Sequence, residues 1–248
     1  MKNRYNKILE ILIREGKADV SALSNNLKVS QVTIRKDLDY LEENGIVKRA
    51  HGYALLSSNN DIATRLAYHY DTKLKIAKVA SSTVQDGEVI MIESGSCCAL
   101  LALELAKAKK DITIITNSVF ISDFVRKVAS FEIVLLGGTY QKDSQAIVGP
   151  MVRECVKNFW ADRFFIGIDG YGQDIGFTNN DRLRSQAVRD MALQTNNVCI
   201  LTESEKFSKY GNTPINIDNK IKYIFTDDKI KETTKSDFLN NNIQVITI

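Results

Sequence analysis

The sequence predicts an α/β chain in two parts: a small N-terminal bundle of three helices with a β-hairpin, then a mainly parallel α/β domain. Two observations predict this. Apolar residues recur at helical spacing through the first 45 residues, and short strands rich in Ile and Val alternate with helices after residue 88. A chain of 248 residues can hold one small and one medium domain. We expect the boundaries at residues 1–56, 57–72 and 73–248, the middle segment being a linker and the start of a connecting helix.

The first two helices of the bundle are predicted to be short and amphipathic. Gly16 suits the end of the first helix, because glycine readily adopts the left-handed conformation found there. Asp19 suits the N-cap of the second helix, and Lys28–Val29 forms the turn that follows it. The residues predicted to face inward are Tyr5, Ile8, Leu9 and Leu12 in the first helix and Val20, Leu23 and Leu27 in the second.

The third helix has the pattern of a helix that reads DNA. Ser30 is a good N-cap, and Gly45 fits the C′ position at the other end. Ile34, Leu38 and Leu41 form one narrow apolar face, and the preceding tight turn is typical of a helix-turn-helix. The residues expected to contact base edges and phosphates are Ser30, Gln31, Thr33, Arg35 and Lys36.

In residues 46–55 side-chain character alternates along the chain and a turn interrupts the alternation, as in a β-wing beside this helix. Lys48, Arg49 and His51 lie where a wing contacts the DNA backbone. Residues 1–56 hold ten Lys or Arg against seven Asp or Glu, so this part carries the whole net charge of +3. That placement fits a protein that binds duplex DNA at a few phosphates. The alternative is a plain three-helix bundle whose charged face is only solvated.

The composition, 44% apolar and 25% charged, is that of an ordinary globular protein. The chain has no run of about 18 apolar residues and no signal-peptide hydrophobic region, so we expect a cytoplasmic protein with no membrane partner. Its four cysteines and two histidines lack zinc-ligand spacing, and a disulfide framework is not expected in a cytosolic chain. We therefore expect no metal and no cofactor.

The second part begins after the polar stretch Ser57–Asp61, where Ala63 to Val84 is expected to form one helix. Strands that are apolar on both faces then alternate with helices, as in a buried parallel sheet. The predicted strands are Val89–Glu93, Ile112–Thr116, Ile133–Leu136, Phe164–Ile168, Val198–Leu201, Tyr223–Thr226 and Val245–Ile248. The predicted helices are Ala99–Lys107, Val119–Lys127, Met151–Phe159, Arg184–Thr195 and Glu232–Asn241.

Five polar loops follow these strands, at the edge of the sheet where α/β domains bind ligands. Ser94–Ser96 precedes a helix and offers N–H groups, hydroxyls and a helix dipole to a phosphate. Lys206 could neutralise that phosphate, and Asp169 could accept hydrogen bonds from sugar hydroxyls. Plainer explanations are a solvated lysine, a capping aspartate and glycines that only shape turns. The candidate ligand-binding residues are Glu93, Ser94, Gly95, Ser96, Asn117, Gly137, Gly138, Tyr140, Asp169 and Lys206.

Two sets of short motifs run along the chain. The first set is Val29-Ser30, Thr33–Leu38, Leu41-Glu42, Gly45, Arg49 and His51-Gly52. The second set is Ile76-Ala77, Asp86-Gly87, Gly95-Ser96, Thr116–Ser118, Gly137-Gly138, Ser144, Gly149, Phe165–Gly167, Gly170, Gly176 and Lys206-Phe207. With these motifs the chain resembles the DeoR family of bacterial transcriptional regulators over nearly its full length. The resemblance implies a winged helix-turn-helix joined to a domain similar to ribose-5-phosphate isomerase and glucosamine-6-phosphate deaminase.

The sequence departs in three places from the pattern that the resemblance implies. Glu93 and Cys97 stand where the family often has aspartate and a second threonine after the first strand. Tyr53 occupies the position of a second glycine in the wing. Glu203 replaces an aspartate, and Glu205 lies next to Lys206, which makes the local charge less favourable for a phosphate.

We predict a sequence-specific regulator, a repressor, of a carbohydrate operon, controlled by a phosphorylated sugar or polyol and active as a homodimer or homotetramer on double-stranded operator DNA. It would have no catalytic residues. The alternative is a sugar-phosphate isomerase or deaminase with a nucleic-acid-binding appendage, because fold alone does not decide function. Glu93, Asp169, Glu203 and Lys206 could then supply an acid–base pair. A pure protein-interaction module would explain neither the basic helix nor the polar loops.

Overall fold

The computed structural model describes residues 2–43, 47–50, 52–56 and 62–248. The chain divides into two compact units, Met1–Tyr70 and Asp71–Ile248. The predicted helix end at Gly45, the predicted DNA contact His51 and the stretch 57–61 lie outside the described residues. The assignment of residues 57–72 as a linker therefore stays a prediction.

The first unit contains the three predicted helices and the predicted hairpin. Asp19 caps its helix by accepting a hydrogen bond from the Ala22 N–H (2.7 Å), and Ser30 accepts one from the Thr33 N–H (3.1 Å). Gly16 ends the first helix with φ +75°. These local predictions are confirmed. The elements are α1 (Lys2–Glu15), β1 (Lys17–Asp19), α2 (Val20–Leu27), α3 (Gln31–Glu43), β2 (Val47–Ala50), β3 (Tyr53–Leu56) and α4 (Ile62–Ala67).

One apolar core holds these elements together. Every residue predicted to face inward from the three helices is buried in it or packed against it. Strand β1, which the sequence did not predict, extends the hairpin to a three-stranded antiparallel sheet of order β1-β3-β2. Arg4 of α1 forms a two-point ion pair with the buried carboxylate of Asp37 in α3, one contact being Nη2 to Oδ1 at 2.8 Å. This pair joins α3 to α1.

The second unit is built on a seven-stranded parallel sheet of order β15-β14-β12-β9-β4-β5-β6. Its strands are β4 (Val89–Ile92), β5 (Thr113–Thr116), β6 (Glu132–Leu135), β7 (Thr139–Gln141), β8 (Ala146–Val148), β9 (Arg163–Ile166), β10 (Gly170–Gly172), β11 (Gly176–Asn179), β12 (Val198–Leu201), β13 (Thr213–Pro214), β14 (Ile221–Thr226) and β15 (Gln244–Thr247). Its helices are α5 (Tyr70–Ser82), α6 (Ser96–Ala108), α7 (Val119–Val125), α8 (Pro150–Val156), α9 (Arg182–Ala192) and α10 (Glu232–Asn240), with short 3-10 helices at Ser204–Ser208 and Asp218–Lys220.

The predicted α/β class is confirmed, and all seven predicted strands are present with ends shifted by at most two residues. Two small antiparallel sheets, β7-β8 and β10-β11-β13, were not predicted. The single helix expected over 63–84 is wrong. The chain forms α4 and α5 instead, because His69 between them has φ +51°, which a right-handed helix cannot accommodate. In the part of the chain that the structure describes, no helix has the length and apolar content needed to cross a membrane.

Candidate functional sites

The outward face of α3 presents the polar residues predicted from the sequence. Ile34, Leu38 and Leu41 are buried, so the helix is fixed to the core along one side. Its first two turns carry exposed Gln31, Arg35 and Lys36, with Thr33 half-buried and hydrogen-bonded to Ser30. Val32 is also 59% exposed on this stretch, an apolar contact that the sequence analysis did not single out. A rigid helix with donors and one apolar side chain at its N-terminal end suits the major groove of DNA.

The hairpin β2-β3 lies beside this helix, and Arg49 connects the two. Its Nη2 lies 2.8 Å from the Asp39 carboxylate and donates to the Arg35 carbonyl oxygen at 2.9 Å. Its Nε lies 3.7 Å from Glu42, whose carboxylate also accepts from the Arg49 N–H. Lys48, the neighbouring position of the same strand, is exposed. The two adjacent cations therefore differ in surroundings: one contacts α3, the other faces solvent.

The candidate ligand-binding edge lies at the carboxyl ends of the parallel strands. The strand order reverses between β4 and β9, which is the switch point where α/β sheets bind ligands. Gly95 and Gly167 bring the two loops there into contact, and a Cβ on Gly95 would lie 2.9 Å from a Glu93 oxygen. Gly95 also begins α6 without a side-chain cap, so backbone N–H groups remain for an anion.

Glu93 at this switch point is buried and ion-paired. Its Oε1 accepts from Arg184 Nη2 (3.1 Å) and from the Ser94 hydroxyl (2.9 Å). Its Oε2 accepts a longer hydrogen bond from the Gly167 N–H (3.4 Å). Burial alone would lower the pKa of Arg184, but the nearby carboxylates of Glu93, Asp169 and Asp181 together raise it. The guanidinium therefore stays charged inside the protein.

A second buried ion pair lies in the neighbouring loop. Lys73 Nζ is 3.1 Å from Glu203 Oε1, and both side chains are almost fully buried. The Cys97 thiol approaches the other Glu203 oxygen at 4.0 Å. Burial is the main reason why the pKa of Cys97 is well above its ordinary value; Glu203 adds to the rise, and Lys73 and Lys206 oppose it. Lys206 thus lies in the electrostatic surroundings of the α6 N-terminus.

The five remaining candidate residues follow β5, β6 and β9 along the chain. Asn117 is buried and donates from Nδ2 to the Ile147 carbonyl oxygen (2.9 Å), while its Oδ1 has no partner among the described residues. Asp169 is half-buried and accepts from the Asn180 N–H (2.9 Å). Packing alone explains why position 138 is a glycine, because a Cβ there would lie 2.7 Å from the Val148 carbonyl oxygen. The other two, Gly137 and Tyr140, lie just before and in β7, with Tyr140 47% exposed.

Sequence reasoning missed Lys73, Arg184 and Asn179, three buried polar residues at or beside this edge. Lys73 gave no signal, since a lysine within a helix is usually solvated. Arg184 did give a signal, because it lies in the first turn of α9, where the helix dipole disfavours a cation and an arginine therefore needs a specific partner. Asn179, at the end of β11, has a buried Nδ2 with no partner.

The described residues contain no cluster of three or more His, Cys, Asp or Glu side chains that could hold a metal ion. The four cysteines are free, and three of them are buried, as expected for small apolar residues.

Two family models together match most of the chain. Residues 4–60 match the DeoR-like helix-turn-helix domain, and residues 68–228 match the DeoR C terminal sensor domain. The first match covers the unit that carries α3 and the wing. The second covers the switch point and both buried ion pairs.

Relatives match along the full length. The HTH-type transcriptional regulator GolR of Listeria innocua is 28% identical, over 98% of this chain and 96% of its own. The Lactose phosphotransferase system repressor of Lactococcus lactis is 30% identical, over 96% of this chain and 95% of its own. The ribose 5-phosphate isomerase A of Methanocaldococcus jannaschii has a similar structure, with 20% identity, a TM-score of 0.42, and coverage of 56% of this chain and 55% of that one. The two family models and the 30% identity to the Lactococcus repressor show that the chain is a member of the DeoR family of transcriptional regulators, which act on sugar metabolism and are not enzymes.

Proposed function

We propose that this regulator is a repressor of a carbohydrate operon and that a phosphorylated sugar or polyol releases it from its operator. One observation supports the proposal above the others: the first two turns of α3 expose polar side chains, while the opposite face of the same helix is buried in the apolar core. In this proposal Gln31, Thr33 and Arg35 contact base edges, while Ser30 and Lys36 contact phosphates.

The wing would contribute through two different roles. Lys48 is exposed and binds a phosphate of the adjacent groove. Arg49 instead orients the wing, because its guanidinium already contacts Asp39, Glu42 and the Arg35 carbonyl oxygen. His51 remains a proposed phosphate contact.

The effector would bind at the carboxyl edge of the parallel sheet. Its phosphate would accept from the N–H groups at the uncapped start of α6 and from the Ser96 hydroxyl, with Lys206 supplying charge. Ser94 would act indirectly, because its hydroxyl donates to Glu93 and helps to hold that carboxylate. Asn117 and Asp169, on the flanking loops, would contact the sugar. The glycines and Tyr140 would shape the edge around it.

A homodimer or homotetramer would place two copies of α3 in successive major grooves, about 34–36 Å apart. The effector would weaken DNA binding only as far as it binds the DNA-free form more tightly. Repression is favoured by the name of the Lactococcus relative. Because the operator lies in the cytoplasm, we place the protein there.

The test begins by selecting bound duplexes from a random library with the full chain. Arg35→Ala should weaken binding to the selected duplex by about 1–3 kcal/mol, as expected for a lost base contact. Arg126→Ala, at an exposed ion pair of the second unit, is the matched control and should bind normally. Undiminished binding by Arg35→Ala would remove the assignment of α3.

A thermal-shift screen against phosphorylated sugars and polyols tests the effector, because a ligand that binds the folded protein raises its melting temperature. Lys206→Ala should bind the selected duplex normally but lose most of the shift. Reporter repression that increases on adding the effector would contradict the direction of control.

A further inference from the structure

We propose that Arg184 is a specificity-determining residue of the effector site, where it binds uncharged oxygens of the sugar chain together with Asn117 and Asn179. The proposal rests on the effector site proposed above. It adds the chemical class of the group that lies beyond the phosphate: hydroxyl or carbonyl oxygens, and not a second acid.

The first support is an unmade hydrogen bond. Arg184 is 6% exposed, and the Nη2 of its guanidinium donates to the Glu93 carboxylate. Its Nε is buried and has no hydrogen-bond partner among the residues that the structure describes. A buried charged donor without an acceptor is costly, so native proteins rarely leave one unless something binds there.

Two further buried groups are unsatisfied on the neighbouring loops. Within the described part of the chain, the Oδ1 of Asn117, directly after β5, has no donor, and the Nδ2 of Asn179, at the end of β11, has no acceptor. Both residues are 1% exposed. The loops are close, since β5 pairs with β4, which ends at Glu93, and the Asn180 N–H donates to Asp169 after β9. An unsatisfied acceptor and two unsatisfied donors match a chain of hydroxyls, because each hydroxyl both donates and accepts.

The charge balance argues for neutral oxygens. Glu93 is 1% exposed, and Arg184 is the cation that pairs with it. A ligand carboxylate at Arg184 would compete with Glu93 and leave a buried carboxylate without its counter-charge. A hydroxyl or carbonyl oxygen can accept from Nε while the Glu93 pair stays intact. The site would therefore favour phosphorylated polyols or ketoses over phosphorylated aldonic acids.

The experiment measures binding of five probes to the full chain by calorimetry: glucitol 6-phosphate, fructose 1-phosphate, fructose 6-phosphate, 6-phosphogluconate and inorganic phosphate. Glucitol 6-phosphate and 6-phosphogluconate differ only at C1, where a hydroxymethyl replaces a carboxylate. We expect at least one neutral-ended sugar phosphate to bind at least tenfold more tightly than 6-phosphogluconate. Tightest binding of 6-phosphogluconate would overturn the inference.

The variant is Arg184→Lys, which keeps a cation beside Glu93 and hence the fold, but lacks the Nε donor. It should lose at least tenfold in affinity for the best sugar phosphate and little for inorganic phosphate. Arg163→Lys is the matched control, because Arg163 pairs with Glu88 (2.9 Å) at the opposite end of β9. Its affinities should equal those of the wild type.

The two proposals fail differently. Wild-type affinity in Arg184→Lys, with binding lost in Lys206→Ala, would overturn the role of Arg184 and leave the effector site standing. Failure of the wild type to bind any of the four phosphorylated carbohydrates would overturn both.

Discussion

Replacing Arg49 or Lys48 by glutamine distinguishes a residue that positions the wing from one that contacts DNA. The two residues are adjacent in β2, so each variant is the other's control. Arg49 is 34% exposed, and its acidic partners Asp39 and Glu42 are about half exposed. Each of these ion pairs is worth about 0.2–1 kcal/mol, with the 3.7 Å contact at the low end. The hydrogen bond to the Arg35 carbonyl oxygen adds about 0.5–1.5 kcal/mol.

Arg49→Gln should therefore cost about 1–3 kcal/mol in the packing of the wing against α3. The assay is the affinity for the selected duplex over a series of salt concentrations. Lys48→Gln should reduce the slope of log K against log salt by about 0.9, the value for one lost phosphate contact. Arg49→Gln should lower the affinity with the slope unchanged. A slope reduced equally in both variants, with no loss of thermal stability for Arg49→Gln, would refute the positioning role.

Three further predictions concern the second unit. Gly170→Ala should lower the melting temperature, because a Cβ there would collide with the Lys209 carbonyl oxygen, whereas a Cβ at Gly167 would lie at an ordinary contact distance, 3.6 Å, from the Gly95 Cα; equal melting curves for the two variants would contradict this packing. Cys155 should be the first cysteine to react with a thiol reagent in the native protein, because the other three are buried and burial raises the pKa of Cys199 to about 12. Equal reaction rates for all four thiols would contradict this. Burial alone would raise the pKa of Asp227, but hydrogen bonds from neighbouring backbone and hydroxyl groups bring it below its ordinary value of 3.8. The ionised Asp227 therefore stabilises the folded protein fully above pH 3.8, and this stabilisation is lost as the pH falls through the lower native pKa. The difference in melting temperature between the wild type and Asp227→Asn should accordingly disappear below about pH 4, and a difference that stays constant with pH would contradict this.

The parallel sheet was predictable because buried parallel strands are runs of Ile and Val, and a run is a local property of the sequence. The break at His69 was not, because the apolar pattern continues from α4 into α5. Only the backbone conformation separates the two helices. Likewise β1 is three residues long and is stabilised by pairing with β3, which lies far along the chain.

Candidate site residues could be predicted from the sequence where their position relative to a strand end was enough to identify them. The loops after β4 and β9 follow from the rule that ligands bind at carboxyl ends. The partners of the buried charges were not predictable, because Arg184 and Glu93 are separated by 91 residues and Lys73 and Glu203 by more. Charge type alone does not show which lysine or arginine will be buried. The same holds for Arg49, which the sequence places on the wing, because Asp39 and Glu42 become its neighbours only in the folded chain.

If α3 reads DNA as proposed, the ion pair between Arg4 and Asp37 makes that reading depend on the first turn of α1. A trypsin-like protease that cleaves after Arg4 would remove the counter-ion of a buried carboxylate of α3. Breaking such a pair costs about 3–5 kcal/mol when both partners are buried, and somewhat less here because Arg4 is 26% exposed. The side chains proposed to contact DNA would survive the cut, yet α3, which presents them, would lose its ion-pair attachment to α1.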